Sequence, residues 1–362
     1  MKKILVTGGA GFIGANFVQY LLSHNQDCEV IVLDALTYAG NLANLLPVRE
    51  DQNFSFIKGD ICDPELVPEI FRTQEIDIVV HFAAESHVDR SITGPDAFIE
   101  SNIVGTHNLL KNAKTIWEET GGFENKLFHH VSTDEVYGTL GPHDPAFSEL
   151  TPYAPNSPYA ASKAGSDHLV RAYHHTFGLP VTTSNCSNNY GPYQFPEKLL
   201  PLCLLNILEG KPLPIYGDGK QVRDWLYVDD HSSGIMLILE NGVPGETYNI
   251  GGNNEWTNID TVKLLCEIVD MFFIDNEVLC SRFPKAPPAS QGGLSESLIT
   301  IVKDRPGHDV RYAINAEKIS STLGYKPALE FRKGLEKTVK WYLDNQDWWQ
   351  SVKDGSYRMV YK

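Results

Sequence analysis

Strand-like runs alternate with helical patterns through residues 1–189, a glycine-rich turn joins the first run to the first helix, and the texture changes after Tyr190. Together these predict an α/β fold, a doubly wound parallel sheet with a smaller, irregular α+β lobe at the C-terminal end. Open sheets of this kind bind ligands at the carboxyl ends of their strands.

The predicted strands are Ile4 to Thr7, Val30 to Asp34, Phe54 to Ile57, Ile78 to Phe82, Leu127 to Ser132 and Val181 to Ser184. Lys2-Lys3 ahead of Ile4-Leu5-Val6 is better read as a first strand than as a signal peptide, because the apolar run stops at Thr7-Gly8-Gly9, too short for a signal core. Ile13, Phe17, Leu21 and Leu22 recur at helical spacing and are expected to bury one face of the first helix on the sheet. Ala161, Gly165, Leu169, Ala172 and Tyr173 repeat that pattern within Ala161 to Phe177. Beyond Tyr190, Gly191-Pro192, Pro212, Pro214 and Gly217-Asp-Gly219 break the alternation. A helix near Asp229 to Leu239 and a short strand in Glu246 to Gly251 then revisit the sheet. Arg282 to Ser297, with its prolines and Gly292-Gly293, is expected to be an exposed loop or insertion.

A chain of 362 residues, 42% of them apolar, can bury a sizeable core as two domains or one elaborated domain. Its formal charge of -16 argues against non-specific binding to nucleic acid or an anionic membrane, so a phosphorylated ligand needs a local basic cluster. The six cysteines are dispersed with no C-x-x-C pair, which suggests neither a zinc site nor a disulfide framework and points to a reducing cytoplasm. No apolar stretch approaches the roughly 20 residues of a spanning helix, so a soluble protein is expected.

Gly8-x-x-Gly11-x-x-Gly14 lies directly between the first strand and first helix, where glycines allow backbone amides to approach a pyrophosphate. Three glycines alone would equally serve to pack a helix on a strand. Asp34, ending the second strand, adds a carboxylate that can accept hydrogen bonds from both ribose hydroxyls of an adenosine and would repel a 2′-phosphate. The combination reads as a Rossmann-type site for NAD rather than NADP. Asp60 and Ile61 after the third strand and Ala83, Ala84, Glu85 and Ser86 after the fourth would line its two sides.

Thr133-Asp134-Glu135 follows the fifth strand, and Tyr159-x-x-x-Lys163 shares one face of a helix. A nearby ammonium favours the phenolate, so Tyr159 is expected to take a proton from a substrate hydroxyl while hydride leaves the same carbon. Thr133 would hold that hydroxyl and Lys163 the nicotinamide ribose. Asp134 and Glu135 could be solvated loop acids or a helix cap. In a crevice they could instead settle into different protonation states, one acid and one base, as elimination of water requires.

The glycine loop with Tyr159-x-x-x-Lys163 resembles the extended short-chain dehydrogenase/reductase superfamily that works on nucleotide sugars. Within it, Ser132-Thr-Asp-Glu-Val-Tyr-Gly138, Ala83-Ala-Glu-Ser-His-Val-Asp-Arg-Ser91, Cys186-Ser-Asn-Asn-Tyr-Gly-Pro-Tyr193 and Asp304-Arg-Pro-Gly-His-Asp309 resemble the dTDP-glucose 4,6-dehydratase family, from Met1 to about Tyr342. Related 4-epimerases typically lack both carboxyls of the Thr-Asp-Glu turn, and related decarboxylases keep a Glu after a Ser.

The resemblance implies a lyase of deoxysugar biosynthesis that converts dTDP-glucose to dTDP-4-keto-6-deoxyglucose and water. It would do so by transient C4 oxidation, C5/C6 elimination and hydride return to C6, with NAD tightly bound and regenerated each turnover. Tyr159 would deprotonate the C4 hydroxyl, Glu135 remove the C5 proton and Asp134 protonate the departing C6 hydroxyl. Cofactor contacts are implied for Gly8, Gly11, Phe12, Ile13, Gly14, Asp34, Ala35, Leu36, Thr37, Asp60, Ile61, Phe82, Ala83, Ala84, Glu85, Ser86, Ser101, Tyr159, Lys163 and Asn189. Substrate contacts are implied for Ser86, Thr133, Asn188, Lys198, Leu199, Pro214, Ile215, Tyr216, Arg223, Asn258, Arg305 and His308. Arg223 and Arg305 have a physical reason to be there, since a guanidinium meets a pyrophosphate with paired hydrogen bonds.

The same resemblance implies an NAD-binding domain over 1–189, with the sheet revisited by about 229–251, and a nucleotide-sugar-binding domain over 190–228 and 252–362. It also implies a cytoplasmic homodimer formed through helices near Asp96 to Trp117 and Tyr159 to Phe177. Two positions depart from the family pattern: Asn185 stands where an Arg is common and Ser101 where a Thr is usual. Competing readings are another nucleotide-sugar dehydratase or a 4-epimerase acting on a UDP-sugar, and a catalytically silent NAD-binding protein. A non-enzyme has no physical use for Thr133, Asp134, Glu135, Tyr159 and Lys163 together.

Overall fold

Seven parallel strands form the centre of the computed structural model, which describes residues 1–25, 27–290, 292–304 and 309–358. Six come from the first half of the chain: β1 (Lys2–Thr7), β2 (Cys28–Asp34), β3 (Phe54–Lys58), β4 (Ile78–His81), β5 (Leu127–Thr133) and β6 (Val181–Cys186). β7 (Asn188–Tyr190), β8 (Leu213–Tyr216) and β9 (Val222–Tyr227) leave the sheet, and β10 (Thr247–Ile250) rejoins it. The order is β10-β6-β5-β4-β1-β2-β3, so the chain reverses direction across the sheet between β1 and β4. The first strands are nearly continuous apolar runs because helices cover both faces, as parallel sheets require.

The switch point opens over the carboxyl ends of β1 and β4. There the turn into the helix Phe12–His24 places Gly8 at φ 70°, and a Cβ at Gly8 would lie 2.6 Å from the Ala83 nitrogen. A Cβ at Gly14 would lie 2.3 Å from the Gly8 carbonyl oxygen, so both glycines answer to close backbone approach. Phe17, Leu21 and Leu22 pack on the sheet as their spacing predicts, but Ile13 is only half-buried and faces the crevice.

The helix Pro158–Phe177 corrects the sequence expectation about which face is covered. Ala161 and Ala172 are exposed and Gly165, Leu169 and Tyr173 half-buried, whereas Tyr159, Ser162, Lys163, Ser166, Asp167 and Val170 are buried. The covered face is mostly polar because β5 offers matching partners, and buried polar groups are tolerated when bonded. One such bond joins Ser132 Oγ to Asp167 Oδ2 at 2.8 Å.

The rest of the chain builds a lobe around two small sheets. One has the order β11-β9-β7, with β11 (Glu255–Thr257) antiparallel to β9, and the other pairs β8 with β12 (Ile299–Val302) in parallel. Its core is rich in aromatics, including Trp225 stacked on Phe331 with ring centroids 5.9 Å apart. Arg282 to Ser297 differs from the exposed loop expected. Phe283 and Ala286 are buried in this core, and Ser295, also buried, donates its backbone N–H to Asp270 at 3.2 Å. The prolines bend a docked segment here. No helix among the described residues is long and apolar enough to cross a membrane.

Candidate active site

A cavity of about 320 Å³ lies over the strand ends. Its floor is the glycine turn, whose following helix has no side-chain cap and so leaves first-turn N–H groups for an anion. On one side Asp34 is buried; its two carboxylate oxygens accept from the backbone N–H of Ala10 at 2.9 Å and of Leu36 at 2.8 Å. Burial raises its pKa and those two bonds pull the other way. Each oxygen keeps a further lone pair for a sugar hydroxyl. Leu36, at φ 54°, does not line the cavity; its N–H orients Asp34 instead.

The other sequence-predicted cofactor residues all line this one cavity, from Gly8 through Ala35, Thr37, Asp60, Ile61, Phe82 to Ser86, and on to Ser101 and Asn189. Ser101 belongs to a π-helical stretch, Ile99–Gly105, a rare distortion that often marks a functional site. Its neighbour Asn102 donates to Ser162 Oγ at 2.8 Å and to the Glu85 carbonyl at 3.0 Å, tying the loop after β4 to the helix that carries Tyr159. Asn189 accepts from the ring of buried His231 at 2.9 Å.

Thr133, Asp134, Glu135, Tyr159 and Lys163 reach the same cavity. Thr133 ends β5 and caps the short turn Asp134–Tyr137, its hydroxyl oxygen accepting from the Glu135 N–H at 3.3 Å and that hydroxyl donating to Asp134 Oδ1 at 3.4 Å. Asp134 is 2% exposed, and its Oδ2 is buried with no hydrogen-bond partner. Burial first, then the Glu135 and Asp224 carboxylates, push its pKa well above the usual range, against a smaller pull from Arg223. A buried carboxyl under such pressure holds its proton.

Tyr159 departs from expectation. Burial and the Glu135 carboxylate push its phenol well above its ordinary pKa, and a hydrogen bond from Thr133 only partly offsets this. Lys163 is itself lowered by burial, with Asp167 opposing, and its ammonium donates to the Val131 carbonyl at 2.9 Å. In the chain alone, desolvation thus outweighs the help to the phenolate that the Tyr-x-x-x-Lys spacing predicts.

The predicted substrate contacts divide. Ser86, Asn188 and Lys198 line the cavity, and Lys198 donates to the Ser86 carbonyl at 3.2 Å. Leu199 opens the helix Leu199–Glu209, Pro214, Ile215 and Tyr216 lie on β8, and Asn258 opens the helix Asn258–Phe273; none of these lines it. Ile215 is buried in the lobe core. Arg223, on β9, donates to the carbonyls of Val222 at 2.8 Å and Asp309 at 3.1 Å and lies over the Tyr312 ring at 4.5 Å. Arg305 and His308 fall outside the described residues.

Sequence reasoning missed several lining residues, among them Tyr38, Gly40, Cys186, Phe195 and Glu197. Gly40 carried a signal, since a Cβ there would come within 2.7 Å of Asp34 Oδ1. Tyr38 and Glu197 carried none locally: Arg90 joins them, its guanidinium 3.9 Å from the Tyr38 ring centre and 3.4 Å from Glu197. Asn185 fills its place as a neutral strut, donating to the Thr133 carbonyl at 3.1 Å.

The model of the GDP-mannose 4,6 dehydratase family matches residues 5–338. The dTDP-glucose 4,6-dehydratase of Neisseria meningitidis serogroup B is 52% identical over 361 residues, covering 99% of this chain and 98% of its own. An Escherichia coli enzyme of the same name is 52% identical over 369 residues, covering 98% and 97%. Among solved structures, dTDP-glucose 4,6-dehydratase from Streptomyces venezuelae with NAD and TYD bound superposes with a TM-score of 0.85 at 47% identity, over 97% of this chain and 99% of that one. UDP-glucose 4-epimerase from Thermotoga maritima with UDP-glucose reaches 0.79 at 29% identity, over 95% and 99%.

Proposed function

The chain belongs to the dTDP-glucose 4,6-dehydratase family, and from that premise we propose that it removes water from dTDP-glucose to give dTDP-4-keto-6-deoxyglucose. The observation that carries this reading is Asp134, a carboxyl sealed from water beside Glu135 on the cavity that Tyr159 and Lys163 also line. An alcohol dehydrogenase needs no second acid–base pair, and an elimination does.

The cradle fits NAD. Gly8, Gly11 and Gly14 leave room for a pyrophosphate, Asp34 suits the adenosine ribose, and Ser101, Asn189 and Lys163 line the remainder. When bound, NAD supplies the acceptor for the C4 hydride and the donor that returns it to C6. The chain's own groups handle the protons. Thr133 orients the C4 hydroxyl and Tyr159 takes its proton, assisted by the Lys163 ammonium once the cofactor's positive ring adds to it. The resulting C4 ketone acidifies C5, Glu135 removes the C5 proton, Asp134 gives its proton to the C6 oxygen as water leaves, and the proton held by Glu135 is restored to C5 when hydride returns to C6. Asp134 is suited to this because it is held neutral until a basic oxygen meets it.

The second lobe, 190–228 with 252–362, takes the nucleotide end, with Asn188, Lys198 and Arg223 as its polar contacts within the described residues. A homodimer fits the surface left on the helical side, where Ile92, Ile99, Val104 and Phe177 are exposed along with the Ala161 and Ala172 face. The six cysteines, dispersed and without disulfide partners, support a cytoplasmic site of action.

The test is product analysis. Purified protein incubated with dTDP-glucose should yield the 4-keto-6-deoxy sugar with no net consumption of NAD. Formation of a C4 epimer alone, or no change in the sugar while NAD stays bound, would overturn the assignment.

A further inference from the structure

Of the buried carboxylates that the mechanism leaves unused, Asp167 is the one bonded to the strand that carries Thr133. Asp167, 5% exposed, stands one helical turn beyond Lys163 and accepts three hydrogen bonds, from Ser132 Oγ at 2.8 Å, the Tyr153 phenol at 2.9 Å and His130 Nε2 at 3.0 Å. Two of these donors are on β5, the strand that ends in Thr133. The third, Tyr153, also accepts from Asn185 at 3.5 Å, and Asn185 holds the Thr133 carbonyl. His130 donates through Nε2, while its Nδ1 is buried without a partner, the pattern of a neutral ring. Asp167 is therefore bonded to the strand that carries the Thr-Asp-Glu turn from the helix that carries Tyr159 and Lys163.

The charges around it are few. Asp167 faces His130 from β5, Tyr153 and Tyr137 from the segment after the Thr-Asp-Glu turn, and Lys163 on its own helix. Lys163 in turn faces His81 on β4, His130 on β5 and Cys186 on β6. The histidines are pressed towards neutrality by burial, His130 to about 4, and burial pushes the Cys186 thiol up to about 12. Within this group Asp167 is the carboxylate whose charge acts on Lys163, from one helical turn away and without an ion-pair contact, the ammonium's hydrogen bond going to the Val131 carbonyl. Burial alone would raise the Asp167 carboxyl, yet the bond from His130 and the Lys163 charge bring it below the usual range. An ammonium this deeply buried is costly without such a partner.

We propose that Asp167 is a positioning residue that keeps the buried Lys163 charged and locks the Tyr159–Lys163 helix in register with the Thr133–Glu135 turn. Oxidation at C4 and loss of water then depend on one buried network. This rests on the dehydratase reading above, so the test separates the two. NAD affinity, titrated by protein fluorescence from neutral to alkaline pH, reports the Lys163 charge whatever the sugar substrate, and C4 oxidation reports the reaction.

In Asp167→Asn the loss of NAD affinity at alkaline pH should move down by about one unit or more, because the ammonium loses its partner. C4 oxidation at neutral pH should fall at least about tenfold. Asp167→Glu, which restores the charge, should bring the affinity profile part of the way back. An Asp167→Asn protein with a lower rate but an unshifted affinity profile would overturn the assignment. Should that variant not fold, Tyr153→Phe keeps the carboxylate and removes one donor; it must slow C4 oxidation at least about threefold with its melting temperature little changed, and an unaltered rate overturns the proposal. Absence of dehydrated product from the wild type would strike the reaction reading alone, with the binding profile still deciding Asp167.

Discussion

Around the reactive end of the site, Thr133, Asp134, Glu135, Tyr159 and Lys163 reach one cavity from a strand end, a capped turn and a helix, all fastened to the central sheet. At the other end Arg223, Asn258 and β8 stand on or beside two small sheets, outside that cavity. Apart from half-buried Glu135, the reactive groups are buried before any ligand arrives. The second-lobe groups are tied to their own lobe, as Arg223 is to two carbonyls and an aromatic ring. Chemistry is preorganised here where geometry must be exact to a fraction of an ångström, and in the proposed reading the nucleotide is met by groups anchored on a separate lobe.

The sharpest way to break that contrast is at Asp134. Asp134→Asn keeps the volume and removes the transferable proton, so dehydration should fall by about 10²–10⁴-fold. Transient absorbance of the reduced nicotinamide should still appear with dTDP-glucose, because C4 oxidation does not use this group. Equal slowing of both steps would contradict its role. At the other end, Arg223→Lys should raise KM roughly tenfold with kcat nearly kept, since a point charge replaces a fork that can meet two oxygens at once. A large kcat loss there would mean that the two ends are not separate.

How much of this contrast was legible in the sequence depends on the range of the interactions. The first strands and the glycine turn could be read because apolar runs, helical spacing and close-approach glycines are local signals. The face of the helix Pro158–Phe177 was misread for the opposite reason. Its small and apolar residues, Ala161 to Tyr173, suggested burial, but Ser166 and Asp167 are covered because β5 supplies His130 and Ser132, partners some 35 residues away in sequence. Phe283 and Ala286 were hidden among prolines in the same way. Arg90, on the helix Val88–Thr93, can join Tyr38 to Glu197 only once three separate segments meet.

Asp134 also sharpens the comparison through stability. Its folded pKa is raised, by burial first and then by Glu135, so the unfolded chain gives up this proton more readily than the folded one. Its contribution is fully present below the unfolded pKa and is lost as pH rises through the folded value. Asp134→Asn should therefore melt at a higher temperature than wild type at neutral and alkaline pH, by a few degrees, with the gap closing under acid. A gap that widens under acid would reverse the sign assigned here. Arg223→Lys should show no such pH-dependent gain, because no proton is held there against its tendency.

The smallest effect tests whether the cofactor wall depends on the far end of the chain. The Tyr357 phenol, buried near the C-terminus, donates to the Tyr38 carbonyl at 2.6 Å, and Trp348 donates to Asn44 at 2.8 Å, so the last helices strap the loop that follows Asp34. Tyr38 lines the cavity beneath the Arg90 guanidinium, and Gly40 packs against the Asp34 carboxylate. A single neutral hydrogen bond contributes about 0.5–1.5 kcal/mol, which corresponds to a few-fold change in a rate or affinity. Tyr357→Phe should accordingly release NAD a few-fold faster, followed by dilution into a cofactor trap, while dehydration in saturating NAD stays within about twofold of wild type. Unchanged release would show that the loop holds its shape unaided, and that the adenosine side, like the reactive end, is set by the central sheet without help from the C-terminal strap.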